Sequence, residues 1–183
     1  MIKIFHMADL HLDSPFSGGD IRRSENGRNR LRNVFRRMIK HINERGYDLV
    51  LVPGDLYDGG FVTEETAELI RSSFASLSCP VVISPGNHDP YVKGSIYSAG
   101  GFSDNVHIFN SEKAEKIDFD NIGVSVWGYA FCSSVLRSNP IADIDTESGR
   151  INILCAHADA NSPLSPYAPI KYSEMEEAGF TYA

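Results

Sequence analysis

Tyr47-Asp48-Leu49-Val50-Leu51-Val52-Pro53-Gly54-Asp55-Leu56-Tyr57-Asp58 runs from an almost unbroken apolar stretch into a glycine turn that carries two carboxylates. Hydrophobicity without alternation marks a strand buried on both faces, the kind found in parallel sheets covered by helices. The flanks agree. Upstream, Leu31, Val34, Phe35, Met38, Ile39 and Ile42 recur at helical spacing until Gly46. Before them the polar stretch 17–29 reads as a loop, and 3–7 (KIFHM) as a first strand. Downstream, Thr63 is placed to cap a second helix with Glu64 and Glu65 in its first turn and Ala67, Ile70, Phe74 and Leu77 on one face. Residues 80–84 (PVVIS) supply a third buried strand. This β-α-β-α-β alternation predicts parallel strands with covering helices.

The second half changes character. Residues 106–109, 114–119, 123–127 and 151–156 read as short strands joined by turns such as Asp120-Asn121. Ser173 and Glu176 fit a capping box for a short helix that Gly179 closes, and 180–183 begins a further strand. No strong linker divides the chain. A single α/β domain over 1–183, with a mixed second sheet, is the economical reading.

Composition sets limits. With 42% hydrophobic and 22% charged residues, the chain resembles an ordinary soluble globular protein. No apolar run approaches the roughly 18 residues of a membrane span, and the N-terminus lacks a signal-peptide layout. Cys79, Cys132 and Cys155 are odd in number and have no CxxC spacing, which favours a reducing, cytoplasmic setting. The net charge of −7 argues against a generally basic nucleic-acid binder, yet it is unevenly spread. Between Ile21 and Gly46, Arg22, Arg23, Arg28, Arg30, Arg32, Arg36, Arg37, Lys40 and Arg45 face only Glu25 and Glu44, so this segment is +7 and the remainder −14. An acidic remainder suits a cation site, and the basic segment either faces phosphates or is a solvated helix face. Arg32, Arg36 and Lys40, at i, i+4 and i+8 on the polar side of the helix, are the candidate phosphate contacts.

The chemistry gathers just past strand ends. Asp9-Leu10-His11 follows the first strand, Gly54-Asp55-Leu56-Tyr57-Asp58 the second, Gly86-Asn87-His88-Asp89 the third, and His157 the strand 151–156. Ligands of open parallel sheets bind beyond these carboxyl ends. Asp-x-His sets two side chains on one side of an extended segment, so a carboxylate and an imidazole grip one cation. Glycines before Asp55 and Asn87 permit tight turns close to the site. Asp55 has two oxygens and could bridge ions about 3.5–4 Å apart. Asn87 adds a neutral oxygen and His157 a nitrogen. Such mixed ligation without thiolate suits manganese, iron or zinc better than calcium or a structural zinc. Singly, each motif reads as readily as a surface pair or a turn. Four of them at four strand ends outweigh coincidence.

Together, Asp9-x-His11, Gly54-Asp55-x-x-Asp58, Gly86-Asn87-His88-Asp89 and His157 resemble the signature of the calcineurin-like metallophosphoesterases. The opening His6-Met-Ala-Asp9-Leu-His11-Leu-Asp-Ser-Pro-Phe16 is similar, more narrowly, to SbcD-type bacterial DNA-repair exonucleases. The resemblance implies two facing mixed sheets flanked by helices, an αββα sandwich, around a centre of two divalent metals. Manganese is the common occupant, with iron, zinc and magnesium as alternatives. Carried over, Asp9, His11 and Asp55 hold one metal, and Asp55, Asn87 and His157 the second. His88 contacts the scissile phosphate and assists the leaving group, Asp89 orients it, and Asp58 steadies Asp55 or a water. DNA, an SbcC-like SMC-type ATPase and a second copy of the chain are the implied partners. Nucleotides, cyclic nucleotides or phosphoproteins are the alternative substrates.

One departure stands out. The family pattern ends in Gly-His-x-His, giving each metal a further histidine, and these 183 residues contain no such motif. The tail resembles the helix and strand that lead into it, so the expectation is a domain truncated at its C-terminus, weakly active or reduced to a binding module. His41 and His107 read as structural, and His6 as a neighbour of the site or a core residue rather than a ligand.

Overall fold

The structure, a computed structural model, describes residues 1–15 and 21–183, with the side chains of 21–23 left aside. Its first sheet is parallel throughout, in the order β1 (Ile4–His6), β2 (Leu49–Val52), β3 (Val81–Ile83) and β4 (Val106–Ile108). Ile4 pairs with Leu49, Val50 with Val81 and Val81 with Val106. Every residue of β2 is buried, as its unbroken apolar run demands. Val50, Val52, Val81 and Ile83 face α1 (Ile21–Arg45) and α2 (Glu64–Ala75), where Phe35, Ile39, Ile42, Ile70 and Phe74 complete one core. Leu49, Leu51 and Val82 point the other way, onto the second sheet.

That second sheet is mixed. β5 (Glu115–Phe119) and β6 (Val124–Gly128) are antiparallel across a 3-10 turn at Asp120–Ile122, and β7 (Ile151–Cys155) lies parallel to β6. The chain end lines up beyond β7, with Leu154 N–H donating to the Tyr182 carbonyl at 2.8 Å. A third core, including Tyr129, Phe131, Leu136 and Leu154, covers the outer face beside α4 (Tyr172–Glu177). The expected sandwich of two sheets flanked by helices is therefore present.

Three local readings need correction. Of the stretch 17–29 read as a loop, 17–20 lies outside the described residues, and from Ile21 onward it is helix. Residues 24–30 (SENGRNR) carry no apolar side chain, so no periodicity announced the helix there. The last helix starts two residues earlier than the Ser173–Glu176 box implied: Lys171 precedes it, with its N–H donating to Glu174 at 2.7 Å. Finally, α3 (Ile96–Ala99), β8 (Asp159–Ala160) and β9 (Pro169–Ile170) had no signal of their own. They are too short for a period to show. Among the described residues no helix is long and apolar enough to cross a membrane.

Candidate active site

The loops after β1 and β2 zip together past the strand ends. Asp9 N–H donates to the Gly54 carbonyl (3.3 Å), His11 N–H to Asp55 (2.9 Å), Leu12 N–H to Leu56 (3.0 Å) and Asp58 N–H to Leu12 (3.1 Å). This segment is not the extended strand that the Asp-x-His spacing suggested. Asp9, His11 and Asp55 sit at φ of 52°, 44° and 52°, in the left-handed region that non-glycine residues rarely occupy. Backbone held there against its preference is a common mark of functional sites. The convergence expected of Asp9, His11 and Asp55 is nonetheless reached: one donor atom from each lies within 4.8 Å of the others.

Asp55 is the hub. It is 4% exposed, and its Oδ2 lies 3.7 Å from Nε2 of His11 and 3.6 Å from Nε2 of His157. Its Oδ1 accepts the N–H of His88 at 3.0 Å. Nε2 of His157 is also 2.9 Å from Oδ1 of Asn87, and its Nδ1 faces the Pro53 carbonyl at 3.4 Å. A donor hydrogen on Nδ1 leaves Nε2 as the nitrogen turned toward Asp55 and Asn87. The two glycines make room for this. A Cβ on Gly54 would lie 2.7 Å from Cβ of His157, and one on Gly86 would strike Oδ1 of Asp55. Gly54 also has a φ of 85°, whereas Gly86 is needed for space rather than for conformation.

Asp58, 7% exposed, holds two imidazoles rather than steadying Asp55. Its Oδ1 lies 3.2 Å from Nδ1 of His11 and 2.8 Å from Nδ1 of His88, and the two rings meet edge to face at 4.8 Å. Burial by itself would raise its pKa, but hydrogen bonds from Ser14, His11 and His88 outweigh that and hold the carboxyl below its ordinary value. An ionised Asp58 fixes Nδ1–H on both rings and frees each Nε2, the arrangement that outer carboxylates give to metal-bound histidines.

Asp89 is a correction. It does not orient His88. Its carboxylate turns into the core, fully buried, and accepts N–H groups from Gly86 (2.7 Å), Asp55 (3.0 Å) and Leu56 (2.9 Å) and the hydroxyl of Tyr97 (2.6 Å). Neighbouring residues on a turn point apart, and His88 takes the outward place. Asp89 thus clamps the β2 and β3 turns that carry Asp55 and Asn87. Replacing it with alanine strands four buried donors and is expected to destabilise the fold by about 3 kcal/mol or more. Chemical denaturation would show this, and a stable variant with slow turnover would return Asp89 to a role at His88.

The basic stripe is also corrected. Arg32 is 8% exposed and donates from Nε (3.1 Å) and Nη2 (2.6 Å) to the fully buried Asp13. The Thr63 N–H and hydroxyl bind the same carboxylate, each at 2.9 Å. Arg32 therefore ties α1 to the α2 cap and to the loop after β1 instead of facing solvent. Arg36 is exposed, and Lys40 pairs with Glu44 at 3.6 Å. The remaining histidines stand outside the cluster: His6 meets the Tyr182 hydroxyl (2.7 Å), His41 the Tyr47 hydroxyl (3.2 Å), and His107 packs on Phe119.

Two turns of a parallel sheet and one strand end of a facing sheet thus bring carboxylate, amide and imidazole donors around a single buried carboxylate. This nitrogen–oxygen donor set fits divalent cations. Fold and site are those of the metallophosphoesterase class. The chain belongs to the calcineurin-like phosphoesterase family, whose family model matches residues 2–177. It is similar to the uncharacterized metallophosphoesterase YhaO of Bacillus subtilis (strain 168), at 26% identity over 193 residues, covering 99% of this chain and 47% of that protein. It is also similar to the SbcD component of the SbcCD nuclease of Staphylococcus epidermidis, at 26% identity over 92 residues, covering 48% of this chain and 23% of that one. The chain spans less than half the length of both relatives.

Proposed function

We propose that the protein hydrolyses phosphodiesters with two divalent cations and that its substrate is DNA, as in a DNA-repair exonuclease. The carrying observation is the Asp55 oxygen set 3.7 Å from one imidazole nitrogen and 3.6 Å from another. Asp9, His11 and Asp55 would hold one cation, and Asp55, Asn87 and His157 the other, with manganese the occupant the family resemblance implies and iron, zinc or magnesium as alternatives. When bound, such a pair lowers the pKa of water and offsets charge on the phosphate. The chain's own groups supply position. Asp58 fixes His88 by Nδ1, which leaves Nε2 of this half-exposed ring to protonate a departing oxygen.

DNA as substrate draws on two supports: the similarity to a nuclease component, and the arginines of α1. Arg30, Arg36 and Arg37 are exposed and form no ion pair among the described residues. Counterion release from such a surface favours a polyanion. By the same resemblance, an SbcC-like SMC-type ATPase and a second copy of the chain are the proposed partners. The test uses the complete gene product with manganese. Release of nucleotides from DNA ends, abolished by chelator, is expected, as is a binding slope against salt that flattens when Arg30, Arg36 and Arg37 are neutralised. Hydrolysis of a phosphopeptide or a cyclic nucleotide with DNA left intact would overturn the DNA reading.

A further inference from the structure

A hollow of about 400 Å³ opens beside the candidate centre, between the loop after β2 and the loop after β3. Its lining includes Tyr57, Val62, His88, Pro90, Val92 and Lys93, with the backbone of Gly59, Gly60 and Gly94. The two loops are stitched where Gly59 N–H donates to the His88 carbonyl at 2.9 Å, which ties the wall of the hollow to the His88 backbone. The far loop is braced as well, with the Ser98 hydroxyl donating to the Val92 carbonyl at 2.7 Å and accepting from Gly94 N–H at 3.0 Å.

The lining has a definite chemistry. In a chain of net charge −7, no carboxylate among the described residues borders this hollow. Lys93 is exposed at its rim and makes no ion pair or hydrogen bond among the described residues. Val62, Pro90 and Val92 supply the apolar part of the lining. Tyr57 is 1% exposed, and its hydroxyl, set against Ser95 and the Ile96 backbone, has no hydrogen-bond partner of good geometry. The volume lies in the range of small-ligand sites, which are mostly apolar with a few placed polar groups.

We propose that this hollow seats the nucleoside next to the scissile phosphodiester, with its base on the Val62–Pro90–Val92 wall and its neighbouring phosphate on Lys93. The inference rests on the phosphodiesterase reading and deepens it, because it makes the site specific for nucleotides rather than for any phosphate ester. An anion with a flat apolar body matches the lining, whereas a phosphopeptide side chain would leave the wall bare.

Two variants probe the hollow from its rim. Gly60 has open space around a Cβ and an unstrained φ, so Gly60→Leu narrows the hollow without disturbing the turn. Lys93→Ala removes the cation. With deoxyadenosine 3′,5′-bisphosphate, which has one phosphate for the centre and one for Lys93, as the probe in calorimetric titration, each variant is expected to weaken binding about tenfold, the scale of one charge-assisted contact. Binding of inorganic phosphate, and manganese-dependent turnover of bis(4-nitrophenyl) phosphate, should stay unchanged, as should thermal unfolding. On a dinucleotide, KM should rise about tenfold with kcat nearly constant. Nucleotide binding that neither variant alters would overturn the inference even if DNA is hydrolysed. Nucleotide binding that both variants weaken, in a protein that leaves DNA intact, would uphold the hollow and sink the DNA reading alone.

Discussion

Asp55→Ala is expected to abolish manganese binding at both positions and to slow phosphodiester turnover well beyond the roughly 10–100-fold typical of losing an outer partner. The reason lies in how much converges on one carboxylate. Oδ2 is shared between Nε2 of His11 and Nε2 of His157, at 3.7 and 3.6 Å, so no other side chain in the cluster replaces it for either half. Oδ1 accepts the His88 N–H and thereby also sets the turn that presents Asn87. Asp55→Asn separates charge from shape. The amide keeps an oxygen for the His88 N–H but loses the negative charge that offsets two cations. Metal affinity should fall in both variants, while thermal stability should recover in the asparagine one. Calorimetric titration with manganese on the complete gene product decides the matter. One position still filled at native affinity in Asp55→Asn would mean that Asp55 serves only the other.

The parts of this molecule that sequence made legible are those whose cause is local. Residues 49–52 read as a buried strand because full burial on two faces removes every polar side chain from the run. Thr63 read as a cap because its hydroxyl accepts the Thr66 N–H from a few residues away. Ligand candidates at strand ends were legible for the same reason: glycine turns and donor residues sit side by side in the chain. The partners of those donors were not. Asp58 meets His11 and His88 only because Leu12 pairs with Tyr57 and the β3 turn folds over both, contacts that span 47 and 30 residues. Adjacency misled at Asp89, where the next residue on the turn looked like the partner of His88 and instead faces the core. Arg32 is the instructive error, since its signal was present. At about 100° per residue, Arg32 lies within about 20° of the buried Ile39, whereas Lys40 is rotated about 80° from Arg32. A spacing of four drifts around an α-helix, so i, i+4, i+8 does not hold one face. The unused carboxylate of Asp13, in a motif otherwise accounted for, was the other half of that signal.

His88→Ala is expected to leave manganese affinity nearly unchanged and to slow the proposed DNA hydrolysis by about 10²–10⁴-fold, the range of a positioned acid or base. The side chain of His88 is half exposed and lies close to His11 and Asp58, but it is not among the proposed ligands Asp9, His11, Asp55, Asn87 and His157, so its loss removes no donor from either proposed cation position. What it removes is an imidazole fixed by Asp58 at 2.8 Å and braced edge to face on His11 at 4.8 Å. That fixation is the reason to assign a proton donor rather than a mere contact: Nδ1 is occupied, so Nε2 is the nitrogen left for a departing oxygen. The assignment makes a sharper demand than slow turnover. With a 4-nitrophenolate leaving group, which departs without a proton, most of the loss should vanish. A loss as large on that substrate as on DNA would show that His88 holds the phosphate instead of protonating the leaving group. Asp58→Asn should resemble His88→Ala in turnover but also weaken manganese binding about 10–100-fold, because the same carboxylate fixes His11. Combining the two substitutions should slow turnover little beyond what Asp58→Asn does alone, since a His88 without its partner has already lost its place. Full additivity would mean that His88 is positioned by something other than Asp58.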